Sequence, residues 1–431
     1  MRTALNITAA KVDPALLDLP WDLPLAEWPD DIIVALPKGI SRHTVRFTRL
    51  SGRVIAVKET IDELAHREYT TLRQLRKKDI PTVAPVAVLT GRLDREGNPL
   101  PAVLITRHLK YSMPYRAVFS QMLKADTATR LVDALALLLV RLHNAGFFWG
   151  DVSLSNTLFR RDAGAFAAYL VDAETGQFFS EGLSEGNREH DLEIARVNIA
   201  GELMDLDSGG RLDEDIDPVS VSERILSQYH QLWHELHGTE RFNADERWRI
   251  RDRIKRLNDL GFDIDEMSIR TENDGQVVRI HPKVVDAGHH RRRLIRLTGL
   301  DVEENQARRL LNDFDQFRAA YSDMGMNEEQ AAHQWLATRF EPIIAAIPRA
   351  LRGKREPAEI YHEIMEHRWY MSEKAGHEVP LMEAVRSYTR DILSHHRDEE
   401  AMIAPPTESI TMPISTLNND EDEDEDWRSK V

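Results

Sequence analysis

Cysteine is missing from this chain of 431 residues. Its absence excludes disulfides, thiolate zinc sites and cysteine nucleophiles, and removes sulfur as a guide to redox compartment. Also missing is any apolar run of the ~18 residues that a membrane-spanning helix requires. The nearest, Leu131 to Leu142, is interrupted by Asp133 and Arg141. Lys11, Asp13, Asp18 and Asp22 break the first residues before an apolar core can form, so no secretory signal is expected. A soluble, cytoplasmic protein without a transmembrane segment is the expectation. Positive charge is in deficit, with 56 Lys and Arg against 72 Asp and Glu and a net charge of −16, which speaks against general nucleic-acid binding.

What is present is long enough for two or three domains, since single cores stop growing at roughly 250 to 300 residues. The stretch HNAGFFWGDVSLSN, His143 to Asn156, places Asp151 and Asn156 five residues apart after the Leu-rich helical pattern of Thr127 to Asn144. A further acid, Asp172, ends the strand-like AAYLV. Phosphoryl transfer from ATP needs a carboxylate that orients the acceptor hydroxyl and oxygen ligands for Mg²⁺, and D-x-x-x-x-N followed by a strand-borne Asp offers both. Upstream, DIIVAL, HTVRFTRL and RVIAVKE read as three strands, and IDELAHREYTTLRQLRKK as an amphipathic helix. Lys58 ends the third strand, rigidly enough to meet phosphates, and Glu68 about two turns along the helix is the carboxylate expected to orient it, with Glu63 the nearer alternative. The turn LPKGISRHT, with Gly39 and Ser41 beside Arg42 and His43, is the expected phosphate cover. VAPVAVLT and PAVLITRHL form a hairpin whose end, carrying Thr106 and His108, is a candidate for nucleotide contact at a crossover between lobes.

Residues 31 to about 205 resemble the protein-kinase-like superfamily, in its Kdo/WaaP lipopolysaccharide-kinase-like branch. WGDVSLSNTLF is similar to the H-G-D-x-x-x-x-N form of small-molecule kinases, and VDAET stands in the place of D-F-G. The resemblance implies an α+β, two-lobed kinase-like fold followed by a mostly α-helical domain. It also implies roles: Asp151 as catalytic base, Asn156 and Asp172 as Mg²⁺ ligands, Lys58 as the phosphate-binding lysine. Trp149 departs from the family's histidine, and Ser153 from the lysine that protein kinases carry two residues after the base. The expected organisation is a leader (1–30), a small lobe (31–109), a large lobe (110–218), a helical accessory domain (219–403) and a disordered acidic tail (404–431) ending in the block Asp420 to Asp426.

The helical half resembles an uncharacterised domain found behind kinase-like regions of actinobacterial proteins, through GHHRRRLIRLTGL, ENQARRLLNDFDQF and HRWYMSEKAG. Its basic cluster, His289 to Arg293 with Arg296, reads as a solvated helical face. YHEIMEHRWY fails the zinc pattern H-E-x-x-H, because Glu366 holds the fifth position and His367 lies one residue too far. Trp233, Trp248, Trp335 and Trp369 are expected in the core. The leading expectation is an ATP- and Mg²⁺-dependent phosphotransferase whose acceptor is a hydroxyl on a small molecule, sugar or glycolipid precursor. The runner-up is a pseudokinase-type scaffold that recruits a protein partner through its helical domain.

Overall fold

β2 (Val45–Leu50) and β3 (Arg53–Thr60) are joined by Ser51 and Gly52, both at positive φ (48° and 76°), the two-residue turn whose twist matches a strand pair. They belong to a five-stranded antiparallel sheet of order β1-β4-β5-β3-β2, completed by β1 (Asn6–Ala9), β4 (Ala84–Thr90) and β5 (Ala102–Arg107). The computed structural model describes residues 5–35, 43–119, 125–238, 240–243, 252–253, 255–256, 262–272, 277–320, 326–396 and 399. Gly39, Ser41, Arg42, Trp248 and the acidic tail lie outside the described residues.

The period of two along each strand divides the sheet's faces. Val88 and Leu104 face α1 (Asp62–Lys77), which returns Ala65, Tyr69 and Leu72 to the same core. Ile55, Val57, Leu89, Val103 and Ile105 face the other way, onto Leu16, Trp21, Leu25 and Trp28. The segment read as a leader is therefore part of the sheet's packing. Arg92, 1 % exposed, ties it down by donating to the carbonyls of Trp21 (3.2 Å) and Leu23 (2.6 Å) while pairing with Glu59 (3.0 Å). DIIVAL does not supply the expected first strand: its start turns back through Ile32 N–Pro29 O and Ile33 N–Asp30 O bonds. Among its described residues, Ile33 forms an isolated bridge to Thr48 and Val34 N donates to Phe47 O (2.8 Å).

Below the sheet, β6 (Met113–Pro114) and α2 (Tyr115–Phe119) lead to α3 (Ala125–Asn144), whose Leu131, Leu135, Leu138, Leu139 and Leu142 are all buried. β7 (Phe147–Phe148) pairs with β10 (Gln177–Phe178), and between them β8 (Thr157–Asp162) and β9 (Ala165–Leu170) form a hairpin packed on α3. α4 (Glu185–Ser208) and α5 (Pro218–His237) close this lobe. Val83 N donates to Leu170 O and Leu170 N to Pro81 O, binding the sheet side to β9.

Beyond α5 the chain is not helical throughout. β11 (Glu240–Asn243), β12 (Phe262–Glu272) and β13 (Val277–Ala287) form a sheet of order β11-β13-β12, so the short extended interruption expected at QVVRIHPKVV is one arm of a long hairpin. Helices α6 (His289–Thr298), α7 (Glu304–Ala320), α8 (Glu328–Trp335), α9 (Glu341–Ala346), α10 (Pro357–Ala375) and α11 (Leu381–Asp391) then enclose a core of their own around Phe314, Trp335, Phe340, Tyr361 and Tyr388. Trp335 is fully buried, and its indole N–H donates to Asp313 (2.7 Å). Trp233 lies half-buried beneath the Arg188 guanidinium. Trp369 corrects the expectation of a core role: it is 58 % exposed, because its place on α10 points away from the face that carries Ile360 and Ile364. The basic cluster is paired rather than merely solvated, with Arg291 on Asp301, Arg292 on Asp79 and Arg293 on Asp315 and Glu328. His362 takes an Arg309 N–H at 3.0 Å.

Candidate active site

Lys58 leaves β3 on the face that α1 covers, and the helix brings Glu68 to it at 2.7 Å. The same ammonium meets Asp172 Oδ2 at 2.9 Å and Glu174 Oε2 at 3.4 Å. Burial alone would lower the Lys58 pKa, but Glu68 and Asp172 outweigh it and hold the ammonium charged, above its ordinary value. Burial, reinforced by Asp172, pushes the Glu68 carboxyl up to about 7 against the pull of Lys58. Glu68, Asp172 and Glu174 thus place three carboxylates, with oxygens within 4.8 Å of one another, against this one lysine. His43 adds a contact to Glu174 at 3.0 Å. Surplus negative charge on clustered oxygen donors is the chemistry that suits a hard cation such as Mg²⁺.

Opposite stands the loop after β7. Asn156 donates its side-chain N–H₂ to Asp151 Oδ2 (3.0 Å) and to the Asp151 carbonyl (3.1 Å), which leaves its amide oxygen as the end available to a cation. Asn198, from α4, donates to Asp151 Oδ1 (3.4 Å) and to Val152 O (3.1 Å). Lys58, Glu68, Asp151, Asn156, Asp172 and Glu174 all line one cavity of about 750 Å³ between sheet and lower lobe. Thr106 and His108 line it as well. Thr106 is held in β5 opposite Ala56. His108 commits its backbone N–H to Val54 O (3.1 Å) and sets its ring edge-on to Phe47. Burial, with Lys110 adding, lowers the His108 pKa to about 4, so the ring is neutral at pH 7.

The loop's shape is set by acids that no local motif announces. Asp191, fully buried on α4, accepts from Trp149 N and Gly150 N (2.8 Å each) and contacts His143 Nε2 (3.0 Å). Gly150 sits at φ +76°, a conformation that suits glycine. Glu202, also on α4, accepts from Leu154 N (2.6 Å) and Ser155 N (3.0 Å). Trp149, the departure from the expected histidine, is fully buried and donates its indole N–H to the Asp172 carbonyl at 2.8 Å. Ser153 turns inward, accepting from Asn156 N (3.2 Å). Sequence reading missed Asp191, Asn198 and Glu202. Their one visible trace is their spacing along a single helix, which the buried Leu192, Ile199 and Leu203 already explain as packing.

Residues 58–197 match the family described as Lipopolysaccharide kinase (Kdo/WaaP) family, and residues 231–393 match Domain of unknown function (DUF4032). No curated protein matches the chain. Among solved structures, WaaP in complex with acyl carrier protein is 17 % identical with a TM-score of 0.35, covering 59 % of this chain and 99 % of that one. An aminoglycoside-3'-phosphotransferase of type VIII is also 17 % identical, with a TM-score of 0.33, covering 51 % of this chain and 92 % of that one. The matched stretch runs from Lys58 through Asp151, Asn156, Asp172 and Asp191. The chain therefore joins a kinase-like α+β region, similar over residues 58–197 to the lipopolysaccharide kinase (Kdo/WaaP) family, to a mostly helical region that matches DUF4032 over residues 231–393.

Proposed function

We propose that the protein is an ATP- and Mg²⁺-dependent phosphotransferase that moves the γ-phosphate to a hydroxyl of a small molecule, sugar or glycolipid precursor. The observation that carries this reading is the meeting of two groups in one cavity: the Lys58–Glu68–Asp172 cluster and the Asp151–Asn156 pair. Lys58, fixed by Glu68, grips phosphate oxygens. Asp172 and the amide oxygen of Asn156 would hold the metal, with Glu174 a further carboxylate close to Asp172. Mg²⁺, when bound, offsets the charge that develops on the transferring phosphoryl group. Asp151, held by Asn156 and Asn198, orients the acceptor hydroxyl and takes up its proton. Thr106 and His108 border the nucleotide side of the cavity.

The test is a thermal-shift titration with ATP, with and without Mg²⁺, on the wild type and on Asp172→Ala. A ligand at about 100 times its Kd stabilises the folded state by ~2.7 kcal/mol. The Mg²⁺-dependent part of that shift should vanish in the variant, together with transfer of labelled γ-phosphate to a cell extract. Retention of both would reject the reading. A second reading, a nucleotide-binding scaffold with the helical region turned to a protein partner, draws on Trp369 and Tyr370, 58 % and 57 % exposed and packed edge-on at 4.9 Å. Nucleotide binding without transfer to any acceptor would favour it.

A further inference from the structure

The β8–β9 hairpin is a fork whose two prongs carry the proposed metal ligands: Asn156 immediately precedes β8 and Asp172 follows two residues after β9. Val171 N donates to Asn156 O (3.0 Å), locking the prongs together at that end. One face of the fork, through Phe159, Phe166, Ala168 and Leu170, belongs to the same core as α3. The rest of it is gripped by the helical region. Glu303 accepts from the Tyr169 hydroxyl (2.6 Å) and pairs with Arg160 (2.8 Å), whose other nitrogen meets Glu356 (2.7 Å). At the closed end, Asp162 accepts from Gln306 N (2.7 Å) and Asn305 N (3.2 Å), so a residue of the hairpin caps the first turn of α7. Ala163, at φ +52°, gives its N–H to Glu359 (3.1 Å).

These groups are buried: Glu303 is 5 % exposed, Asp162 4 % and Tyr169 4 %. A buried polar network of this kind fixes one geometry, because any slippage leaves charges and N–H groups unpaired in a medium of low dielectric. Arg160 and Tyr169 stand on different strands of the hairpin, so a single carboxylate from the helical region fastens both prongs.

We propose that Glu303 is a positioning residue for the metal-and-nucleotide site, acting through Arg160 and Tyr169, and that the helical region is the brace that keeps Asn156 and Asp172 in register. The proposal rests on the reading of those two residues as metal ligands. It gives the helical region a role in the kinase-like half's own chemistry, where the sequence suggested an accessory module.

The experiment uses the full chain with Glu303→Gln, which removes the charge and keeps the shape, and Tyr169→Phe, which removes one hydrogen bond and no charge. Backbone hydrogen exchange is read by mass spectrometry, and Mg·ATP and metal-free ATP binding by calorimetry. The expected result for Glu303→Gln is exchange about tenfold faster in peptides spanning 157–174, unchanged exchange in β2–β5, and Mg·ATP affinity weakened about tenfold with metal-free ATP affinity retained. Tyr169→Phe should move the same peptides by a smaller factor. Faster exchange confined to 289–320, or a loosened hairpin with unchanged Mg·ATP affinity, would overturn the proposal. A wild type that does not bind Mg·ATP would instead overturn the phosphotransferase reading and with it the positioning role, and the exchange arm alone would then decide whether the brace exists.

Discussion

Asp191→Asn isolates the device that shapes the loop bearing Asp151. The wild-type carboxylate satisfies Trp149 N and Gly150 N at 2.8 Å each and contacts His143 Nε2 at 3.0 Å, all with no exposure to water. Asparagine keeps one acceptor oxygen, but its N–H₂ group then faces a donor. One backbone N–H is orphaned, at ~1–3 kcal/mol, and a bond to a charged acceptor, contributing ~1.5–3 kcal/mol, is lost. The combined cost of about 2.5–6 kcal/mol is a large share of the ~5–15 kcal/mol that holds a domain folded. At 1.4 kcal/mol per factor of ten, protection of the Trp149 and Gly150 amides against hydrogen exchange should fall roughly 100-fold or more. Turnover should fall about 10²-fold, the scale of a misplacement near 1 Å, while ATP affinity stays within a few-fold because Asp191 does not touch Lys58. Wild-type protection of these two amides in the variant, with turnover unchanged, would refute the assignment.

Trp149→Phe keeps a buried ring but removes the indole N–H from the Asp172 carbonyl, so a loss of ~1 kcal/mol in thermal denaturation and weaker Mg²⁺ dependence are expected. His362 supplies a pH test: burial, then Arg309, lowers its pKa to about 4 from an ordinary 6.5. The unfolded chain binds that proton first as pH falls, so stability drops from pH 6.5 towards 4 by at most ~1.4 kcal/mol per unit, and His362→Gln should flatten that part of a Tm-versus-pH curve relative to wild type.

The elements that were legible in the sequence were those whose signal is local. β2 and β3 announce themselves by β-branched residues around Ser51-Gly52, and α3 by leucines on one face. Lys58 and Glu68 could be paired on paper because the end of a strand and the second turn of the next helix are near in chain and space. The edge strand Asn6–Ala9 could not be read, since four residues carry little pattern and their partner β4 lies some 80 positions on. DIIVAL misled because its apolar run packs as a turn and a bridge, with Ile32 and Ile33 set against the leader's tryptophan core. Of the β12–β13 pair only QVVRIHPKVV read as extended, while the charged residues of Phe262–Glu272 concealed its partner strand.

By itself the sequence determined the chemical inventory: no thiols, a lysine ending a strand, and two carboxylates and an amide at kinase-like spacing. It also set the local periodicities from which the kinase-like fold follows. Only tertiary packing decided that Glu174 joins Glu68 and Asp172 around Lys58, that Trp149 serves the Asp172 carbonyl, and that Asp191, Asn198 and Glu202 converge on the Asp151 loop from α4. It also placed Glu303 on the hairpin between Asn156 and Asp172. The physical reason is common to all of these. Hydrogen bonds and ion pairs act over about 3 Å and gain weight when water is excluded, and residues from 23 (Trp149 and Asp172) to 134 (Tyr169 and Glu303) positions apart or more reach that distance only when helix faces and sheet faces have packed.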